Sequence, residues 1–438
     1  MARASMQCIE EGCRHKQEAK DRKYACEVCG GLLEIHNEYS PGEASGLKEI
    51  WQRRKSSAEA IDRSGVWRFR ELLPFFGPNP QIVSLAEGST PLVETERAGE
   101  WAGGVRLAVK HQGNNPTGSF KDLGMTACIT QAAVMGVEVV ACASTGNTSS
   151  SMAAYAARAG IKALLFAPHG QTSAAKLLQA MDFGATVIEV EGSFDDAFKL
   201  LAPLAEEMGL YLVNSINPFR IEGQKTIVAE VMEQRAWVAP DYIVVPGGNL
   251  GNASSIGKGL EELKTLGLME RMPRLVVIQA EGASPFYRMM ASGGGGLIPE
   301  ENPRTVATAI RIGNPANWKK ARRAMEWTNG LVEVVTDEEI SEAKAVLARD
   351  GVGCEPASAA TLAGIRKLRA AGKIERDADV VAVLTGHQLK DTAYIQERFD
   401  AAPEQFRKYR APAQLAEVRK IVERVLGEAK EILPSRAN

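Results

Sequence analysis

From residue 126 onward the chain alternates between short apolar runs and longer segments whose apolar residues recur every three to four positions. The run Val137–Ser144 predicts a buried strand, and Ala163–Ala167, Thr186–Val190, Tyr211–Ser215, Tyr242–Pro246, Leu275–Ala280, Leu331–Val335 and Val380–Thr385 predict further strands. Helices are predicted among them at Met152–Arg158, near 173–183 and near 195–208. Regular alternation of this kind argues for parallel sheets covered by helices on both faces, an α/β fold. No internal repeat is visible. Upstream, Leu47, Ile50 and Trp51 predict a short helix, and Ser64–Phe69 an apolar anchor, within an arm wrapped on the main body. Beyond Asp400 the α/β pattern stops. Leu415, Val418, Ile421, Val422, Val425 and Leu426 then form the apolar stripe of a terminal amphipathic helix, expected to dock on the body or on a partner subunit.

A length of 438 residues allows two or three domains, each with its own core. The net charge of −2 argues against general attraction to nucleic acid or to an anionic membrane, so an anionic small substrate has to be met by a local basic site. No apolar run approaches the ~20 residues of a membrane span, and the first residues lack the apolar core of a signal peptide. The expectation is a soluble cytoplasmic protein without nucleic-acid or membrane partners.

Four of the seven cysteines cluster near the start, as Cys8-x4-Cys13 and Cys26-x2-Cys29-Gly-Gly. Each pair reads as a knuckle, in which a tight turn aims backbone amides at thiolates. Two knuckles brought together make a tetrahedral sulfur site suited to zinc. The first spacing lies at or beyond the usual edge, and reduced thiols in a vestigial ribbon are the other reading. The remaining Cys128, Cys142 and Cys354 are scattered, which is no secreted disulfide framework.

The stretch around which the chain is organised is Gly113-Asn114-Asn115-Pro116-Thr117-Gly118-Ser119-Phe120-Lys121-Asp122-Leu123-Gly124-Met125. It follows the apolar run Val105–Val109 with Lys110 and His111, and precedes an Ala-rich helical segment. A turn dense in Gly, Asn and Pro between strand and helix is where α/β proteins hold ligands on backbone. Lys121 falls at the helix start, where the dipole and apolar packing disfavour an ammonium and leave a nucleophilic amine. Such an amine forms a Schiff base with a carbonyl cofactor. Taken alone, the lysine reads as a solvated first-turn residue. The whole segment N-P-T-G-S-F-K-D-x-G-M, however, resembles the cofactor-lysine segment of threonine synthases, members of the tryptophan-synthase-β (fold type II) group of pyridoxal-phosphate enzymes. The later pieces, and Ser64-Gly-Val-Trp-Arg68, are most similar to the plant-type branch. Glu87-Gly88-Ser89-Thr90-Pro91-Leu92 matches the family's E-G-x-T-P-L segment and is given no catalytic part.

The resemblance implies pyridoxal 5′-phosphate as cofactor, bound covalently by Lys121 with Phe120 beside it. Ser144-Thr145-Gly146-Asn147-Thr148 lies at a strand end before a helix, a place where amides and hydroxyls cap the helix or hold a carboxylate. By resemblance, Asn147 contacts the cofactor's ring hydroxyl, while Ser144, Thr145 and Thr148 hold the substrate's α-carboxylate. Pro246-Gly247-Gly248-Asn249-Leu250-Gly251-Asn252 follows a strand and precedes a helix, and its glycines admit a phosphate to backbone amides. It resembles the family's cofactor-phosphate loop, which assigns that phosphate to Gly248, Asn249, Leu250, Gly251 and Asn252; the G-x-G-x-x-G spacing of a nucleotide site is absent. Asn214, Ser215 and Arg220 offer amide, hydroxyl and guanidinium donors suited to a second phosphate, or else a solvated helix start with an Arg–Glu pair. By resemblance they bind the phosphate of O-phosphohomoserine. Thr385, in Thr385-Gly386-His387-Gln388-Leu389-Lys390, is implied to hydrogen-bond the pyridine nitrogen, and His387 is read as structural. Gln388 departs from the common T-G/A-H-G-L-K, and Leu123 stands where many bacterial relatives have arginine. Ser292–Gly296 is read as a surface loop or lid.

The resemblance covers about residues 84–391. It implies two parallel-sheet domains with the cofactor between them: 84–122 with 212–400 as the large domain and 123–211 as the small one. A zinc-ribbon-like segment (1–36) and an arm (37–83) precede them, and a helical tail (401–438) follows. The implied reaction takes O-phospho-L-homoserine and water to L-threonine and phosphate, with a homodimer expected. A cysteate-synthase-like enzyme acting on O-phosphoserine, a dehydratase, and a catalytically dead relative serving as a binding protein are the rivals. A phosphate pocket speaks against the dehydratase, and the presence of Lys121, Asn147 and Thr385 against the dead relative.

Overall fold

The structure, a computed structural model, describes residues 3–432 apart from 20, 40–41, 43, 77–80, 145, 170–173, 193 and 402–408. Its largest sheet runs in the order Leu331–Val335, Arg274–Ala280, Tyr242–Pro246, Asp379–Leu384, Arg106–His111, Leu92–Glu94. All neighbours are parallel except the last pair, which is antiparallel and closes one edge. The central strand Tyr242–Pro246 is buried along its whole length, which is why its sequence shows a continuous apolar run and no alternation. Because Tyr242–Pro246, Asp379–Leu384 and Arg106–His111 are adjacent and parallel, the loops that leave them (246–252, 385–388 and 112–120) open on the same edge of the sheet.

A second, wholly parallel sheet has the order Thr186–Val190, Lys162–Pro168, Val139–Ala143, Tyr211–Leu212. Its last strand is shorter than the apolar run Tyr211–Ser215 predicts. The ladder ends because the Asn214 side chain takes over the pairing: Oδ1 accepts from Ala143 N at 3.3 Å and Nδ2 donates to Ala143 O at 2.8 Å. A helix on this sheet begins earlier than its apolar spacing predicts, at Asn147, and runs to Ala159. The N-terminal segment is a three-stranded antiparallel sheet in the order Lys16–Glu18, Arg3–Cys8, Leu33–Glu38.

Two helices bring the sheets' loops together, Lys121–Val134 and Pro218–Gln234. They touch backbone to backbone. A Cβ on Gly223 would lie 1.9 Å from Leu123 O, and one on Gly124 would lie 2.8 Å from Arg220 O. Glycine at both positions therefore sets how close Lys121 and Arg220 come. The arm is fastened to the same helix, with Trp67 Nε1 donating to Thr126 Oγ1 at 2.7 Å. Glu87 is fully used in holding the arm and the helix Asn147–Ala159: it accepts from Ser64 Oγ at 2.5 Å and from Tyr155 OH at 2.8 Å.

The chain as far as Asp391 forms one compact unit, and Thr392 onward, with helices Thr392–Ala401 and Leu415–Ile432, forms another. Among the described residues no helix is long and apolar enough to cross a membrane.

Candidate active site

The loop before Lys121 is tied down from both sides. Asp122, buried, accepts from Thr117 N at 2.7 Å, Thr117 Oγ1 at 2.6 Å and Ser151 Oγ at 2.6 Å. Burial pushes its carboxyl up to about 6, against the pull of those donors. Phe120 N donates to Thr385 O at 3.0 Å, and Ser119 bridges Gly386, so the loop is docked on the end of the strand Asp379–Leu384. Lys121 is thereby fixed next to Thr385, with its Nζ 4.0 Å from the centre of the Phe120 ring.

Lys121 Nζ has no hydrogen-bond acceptor among the described residues. Burial, helped by the positive charge of Arg220 and opposed by Glu355, brings its pKa down from 10.5 to about 7. Of these causes, burial is one the sequence argument named, and the second cation is one it did not. A pH dependence follows. Cofactor-free protein is expected to combine with pyridoxal phosphate faster as pH rises through about 7, levelling off above, because the neutral amine is the reacting form. Stopped-flow absorbance checks this; a rate still climbing steeply at pH 9 would give Lys121 an ordinary amine. The unfolded chain keeps this proton up to 10.5, so the group also makes stability rise with pH between about 7 and 10.5.

One cavity is lined by Phe120, Lys121, Ser144, Asn147, Thr148, Asn214, Ser215, Arg220, Gly248 through Asn252, and Thr385. Every residue singled out above for cofactor or substrate therefore borders it, except Thr145, which lies outside the described residues. His387 is not among the lining residues; its amide donates to Gly118 O at 2.9 Å, a structural tie. Gln388 packs against Gly353, where a Cβ would meet its Oε1 at 2.4 Å.

Arg220 is 2% exposed. Its Nη1 donates to Val213 O at 3.2 Å, its Nε has no partner, and no described carboxylate pairs with it. The solvated Arg–Glu pair is ruled out: Glu222 points away and bonds Lys225 and Lys258 instead. An unpaired guanidinium held in a buried cleft is costly unless an anion completes it. Ser215 borders the same cavity and is joined to the loop 246–252, since Asn249 Nδ2 donates to Ser215 Oγ at 2.6 Å. That leaves the serine's own hydrogen free to donate.

Sequence reasoning missed Glu355. It is 1% exposed, yet it lines the cavity, where Asn147 Nδ2 donates to it at 3.1 Å and Thr385 Oγ1 at 3.4 Å. Gly386 is glycine because a Cβ there would sit 2.4 Å from Glu355 Oε1. Thr385 Oγ1 also lies 3.1 Å from Ser358 Oγ. The only local signal was Glu355-Pro356 ahead of a helical run, which reads as an ordinary helix start.

A family model described as pyridoxal-phosphate dependent enzyme matches residues 83–386. The chain is 47% identical to a threonine synthase of Methanocaldococcus jannaschii, over 88% of this chain and 92% of that one. To a threonine synthase of Methanosarcina acetivorans it is 46% identical, over 88% and 92%. The chain belongs to the pyridoxal-phosphate-dependent enzymes, in the threonine synthase group. A fungal L-serine ammonia-lyase from Rhizomucor miehei shares the fold, with a TM-score of 0.62 at 20% identity over 73% of this chain and 99% of that one. The enzyme is thus a fold type II lyase that uses pyridoxal phosphate.

The cleft fits that cofactor. Asn252, in the first turn of the helix Gly251–Thr265, is buried with both side-chain polar atoms unpartnered, and Asn147 Oδ1 is likewise unpartnered. The first amides of that helix lack partners within it and suit a phosphate. Gly248, which lines the same cavity, is so close to another segment that a Cβ would lie 3.0 Å from Ala309 O.

Away from the cleft, the Sγ atoms of Cys8, Cys13, Cys26 and Cys29 all lie within 4.8 Å of one another. Cys8 and Cys29 are 3.5 Å apart, and Cys13 and Cys26 3.7 Å. The wide Cys8-x4-Cys13 spacing therefore does not keep the thiols apart. A tetrahedron of sulfurs about 2.3 Å from a central ion has edges near these lengths.

Proposed function

We propose that the enzyme converts O-phospho-L-homoserine and water into L-threonine and phosphate. The observation that carries the reading is Arg220, buried, without a carboxylate partner among the described residues and bordering the same cavity as Lys121. Pyridoxal phosphate, held through Lys121 until the substrate's own amine takes that side chain's place and frees it, would supply an electron sink for negative charge on the substrate's carbon chain. Gly248, Asn249, Leu250, Gly251 and Asn252 hold its phosphate, while Asn147, Thr385 and Phe120 orient its ring. Glu355 fixes the directions of Asn147 and Thr385 through its hydrogen bonds to both. Ser144, Thr145 and Thr148 hold the substrate's α-carboxylate. Arg220, Ser215 and Asn214 hold the phosphate that leaves from Cγ. Lys121 Nζ, with its pKa near 7, takes the proton from Cα and returns one there when threonine is complete, because one amine on one face of the site reaches successive positions.

Release of inorganic phosphate from O-phosphohomoserine, compared with O-phosphoserine plus sulfite, tests the reading. Phosphate and threonine are expected from the first pair only. Turnover of O-phosphoserine with sulfite in preference would make the enzyme a cysteate-synthase-like relative.

We also propose that Cys8, Cys13, Cys26 and Cys29 hold zinc. Protein purified without chelator is expected to carry about one zinc per chain by elemental analysis. A metal content near zero would leave four reduced thiols in a vestigial ribbon.

A further inference from the structure

The function proposed above makes no use of the N-terminal ribbon, yet its strand Leu33–Glu38 is joined by polar bonds to three helices of the catalytic body. Lys320 Nζ, on the helix Trp318–Thr328, donates to Leu33 O at 2.8 Å, and Arg323 on that helix pairs with Glu34, its Nη1 at 2.8 Å. Lys258, on the helix Gly251–Thr265, donates to Ile35 O. Asn37 Nδ2 reaches Glu222 Oε2 on the helix Pro218–Gln234 at 2.9 Å and Glu262 Oε1 on the helix Gly251–Thr265 at 3.1 Å.

Two of these helices begin at the proposed anion-binding loops, and the third follows a segment bonded to both loops. Pro218–Gln234 carries Arg220 two residues before Glu222, so the two side chains leave the helix on roughly opposite sides. Gly251–Thr265 begins at the proposed cofactor-phosphate loop. The segment ahead of Trp318–Thr328 holds both loops: Ala316 N donates to Asn249 Oδ1 at 2.6 Å, and Asn317 Nδ2 to Ser215 O at 3.2 Å.

The junction on the far side is ionic and buried. Lys225 sits 2.6 Å from Glu222 and 2.6 Å from Glu262, and Lys258 pairs with Glu222 and lies 3.7 Å from Glu262. Glu222 and Lys225 are 0% and 1% exposed. Apolar side chains tolerate small slides of one helix along another. A buried set of ion pairs and hydrogen bonds does not, because each displaced charge is left uncompensated, and fixing a register is the best-attested use of such groups. Asn37 is the ribbon's contribution to that set, an amide bridging two carboxylates that lie on different helices.

We propose that the ribbon is a positioning element of the active site, acting through Asn37 to hold the helix of Arg220 in register with the helix of the cofactor-phosphate loop. The proposal rests on the reading of Arg220 as the residue that binds the leaving phosphate. Asn37 touches nothing in the cavity, so it acts on the reaction only through the placement of these helices.

The test uses full-length enzyme loaded with pyridoxal phosphate and inorganic phosphate as the probe, its binding followed by calorimetry. Asn37→Asp sets a third carboxylate against Glu222 and Glu262 and is expected to raise the phosphate Kd about tenfold. Adding Glu262→Gln restores an amide–carboxylate pair in the opposite order and should bring Kd back to within about twofold of the parent. That rescue is not expected if the ribbon contributes stability alone. Should Asn37→Asp fail to fold, Tyr39→Phe serves instead. It removes the hydroxyl that donates to Glu262 at 3.1 Å, and a two- to threefold rise, roughly, is expected. An unchanged Kd in the folded variants, or a raised Kd that Glu262→Gln does not restore, overturns the proposal. Failure of the parent enzyme to bind inorganic phosphate would instead overturn the reading of Arg220, and this proposal with it.

Discussion

Lys121→Ala is expected to abolish threonine formation, by more than about a thousandfold, while leaving the fold in place. The size follows from two roles lost together, the covalent hold on the cofactor and the base at Cα, since a positioned base alone contributes some hundred- to ten-thousandfold. The fold should persist because Nζ bonds no described protein group, and its burial disfavours the charged form. Removing it leaves no partner stranded. Two measurements decide. Borohydride reduction of the parent enzyme followed by peptide mapping should label Lys121 and no other lysine, and the variant should take no label. Lys110, Lys176, Lys225 and Lys390 are also buried, but each has hydrogen-bond acceptors: Lys390 Nζ, for one, donates to Thr117 O at 3.0 Å, Ser150 Oγ at 2.9 Å and Gln179 Oε1 at 2.6 Å. A label on any of these would refute the assignment.

Arg220→Lys is expected to weaken phosphorylated substrate by about tenfold or more and to spare the cofactor. A guanidinium set against a phosphate makes paired charge-assisted hydrogen bonds worth roughly 1.5–3 kcal/mol each, and lysine keeps the charge but loses the fork. Arg220 Nε is buried and unpartnered, and only Nη1 is spent, on Val213 O. The remaining donors of the fork are therefore available to a ligand. Pyridoxal phosphate is proposed to be held elsewhere, at Gly248–Asn252, so its stoichiometry should be unchanged. The deciding comparison is the affinity of a substrate analogue with and without its phosphate, in parent and variant. Equal weakening of both analogues would mean that Arg220 does not read the phosphate, and the case for O-phosphohomoserine would lose its structural support. Because Arg220 also helps to depress Lys121, an uncharged replacement such as Arg220→Gln should in addition move the recombination profile of the cofactor-free protein to higher pH.

Much of this enzyme was open to reading from the order of its residues. Strands such as Tyr242–Pro246 and Arg274–Ala280 stand where continuous apolar runs put them, because burial on both faces leaves a local imprint on sequence. Lys121 begins its helix as its glycine- and asparagine-rich approach implies, since turn chemistry is also local. Where two elements compete for one backbone, local pattern fell short: the run Tyr211–Ser215 stops early because Asn214 pairs with Ala143, and that contact spans 71 residues.

Tertiary structure alone decided the electrostatics. Arg220 and Glu222 are near enough in sequence to be read as an ion pair, yet on the helix Pro218–Gln234 they leave on roughly opposite sides: Glu222 bonds Lys225, Lys258 and Asn37, and no described carboxylate meets Arg220 in the cleft. Glu355 reads as a helix start until folding sets it against Asn147, 208 residues away, and Thr385. Sequence determined which segments are strand, helix and ligand-holding turn, because those depend on neighbours within a few residues. Which charges stay paired and which are left for a ligand depends on distances between remote segments and on exclusion of water, and these exist only once the sheets and helices have packed.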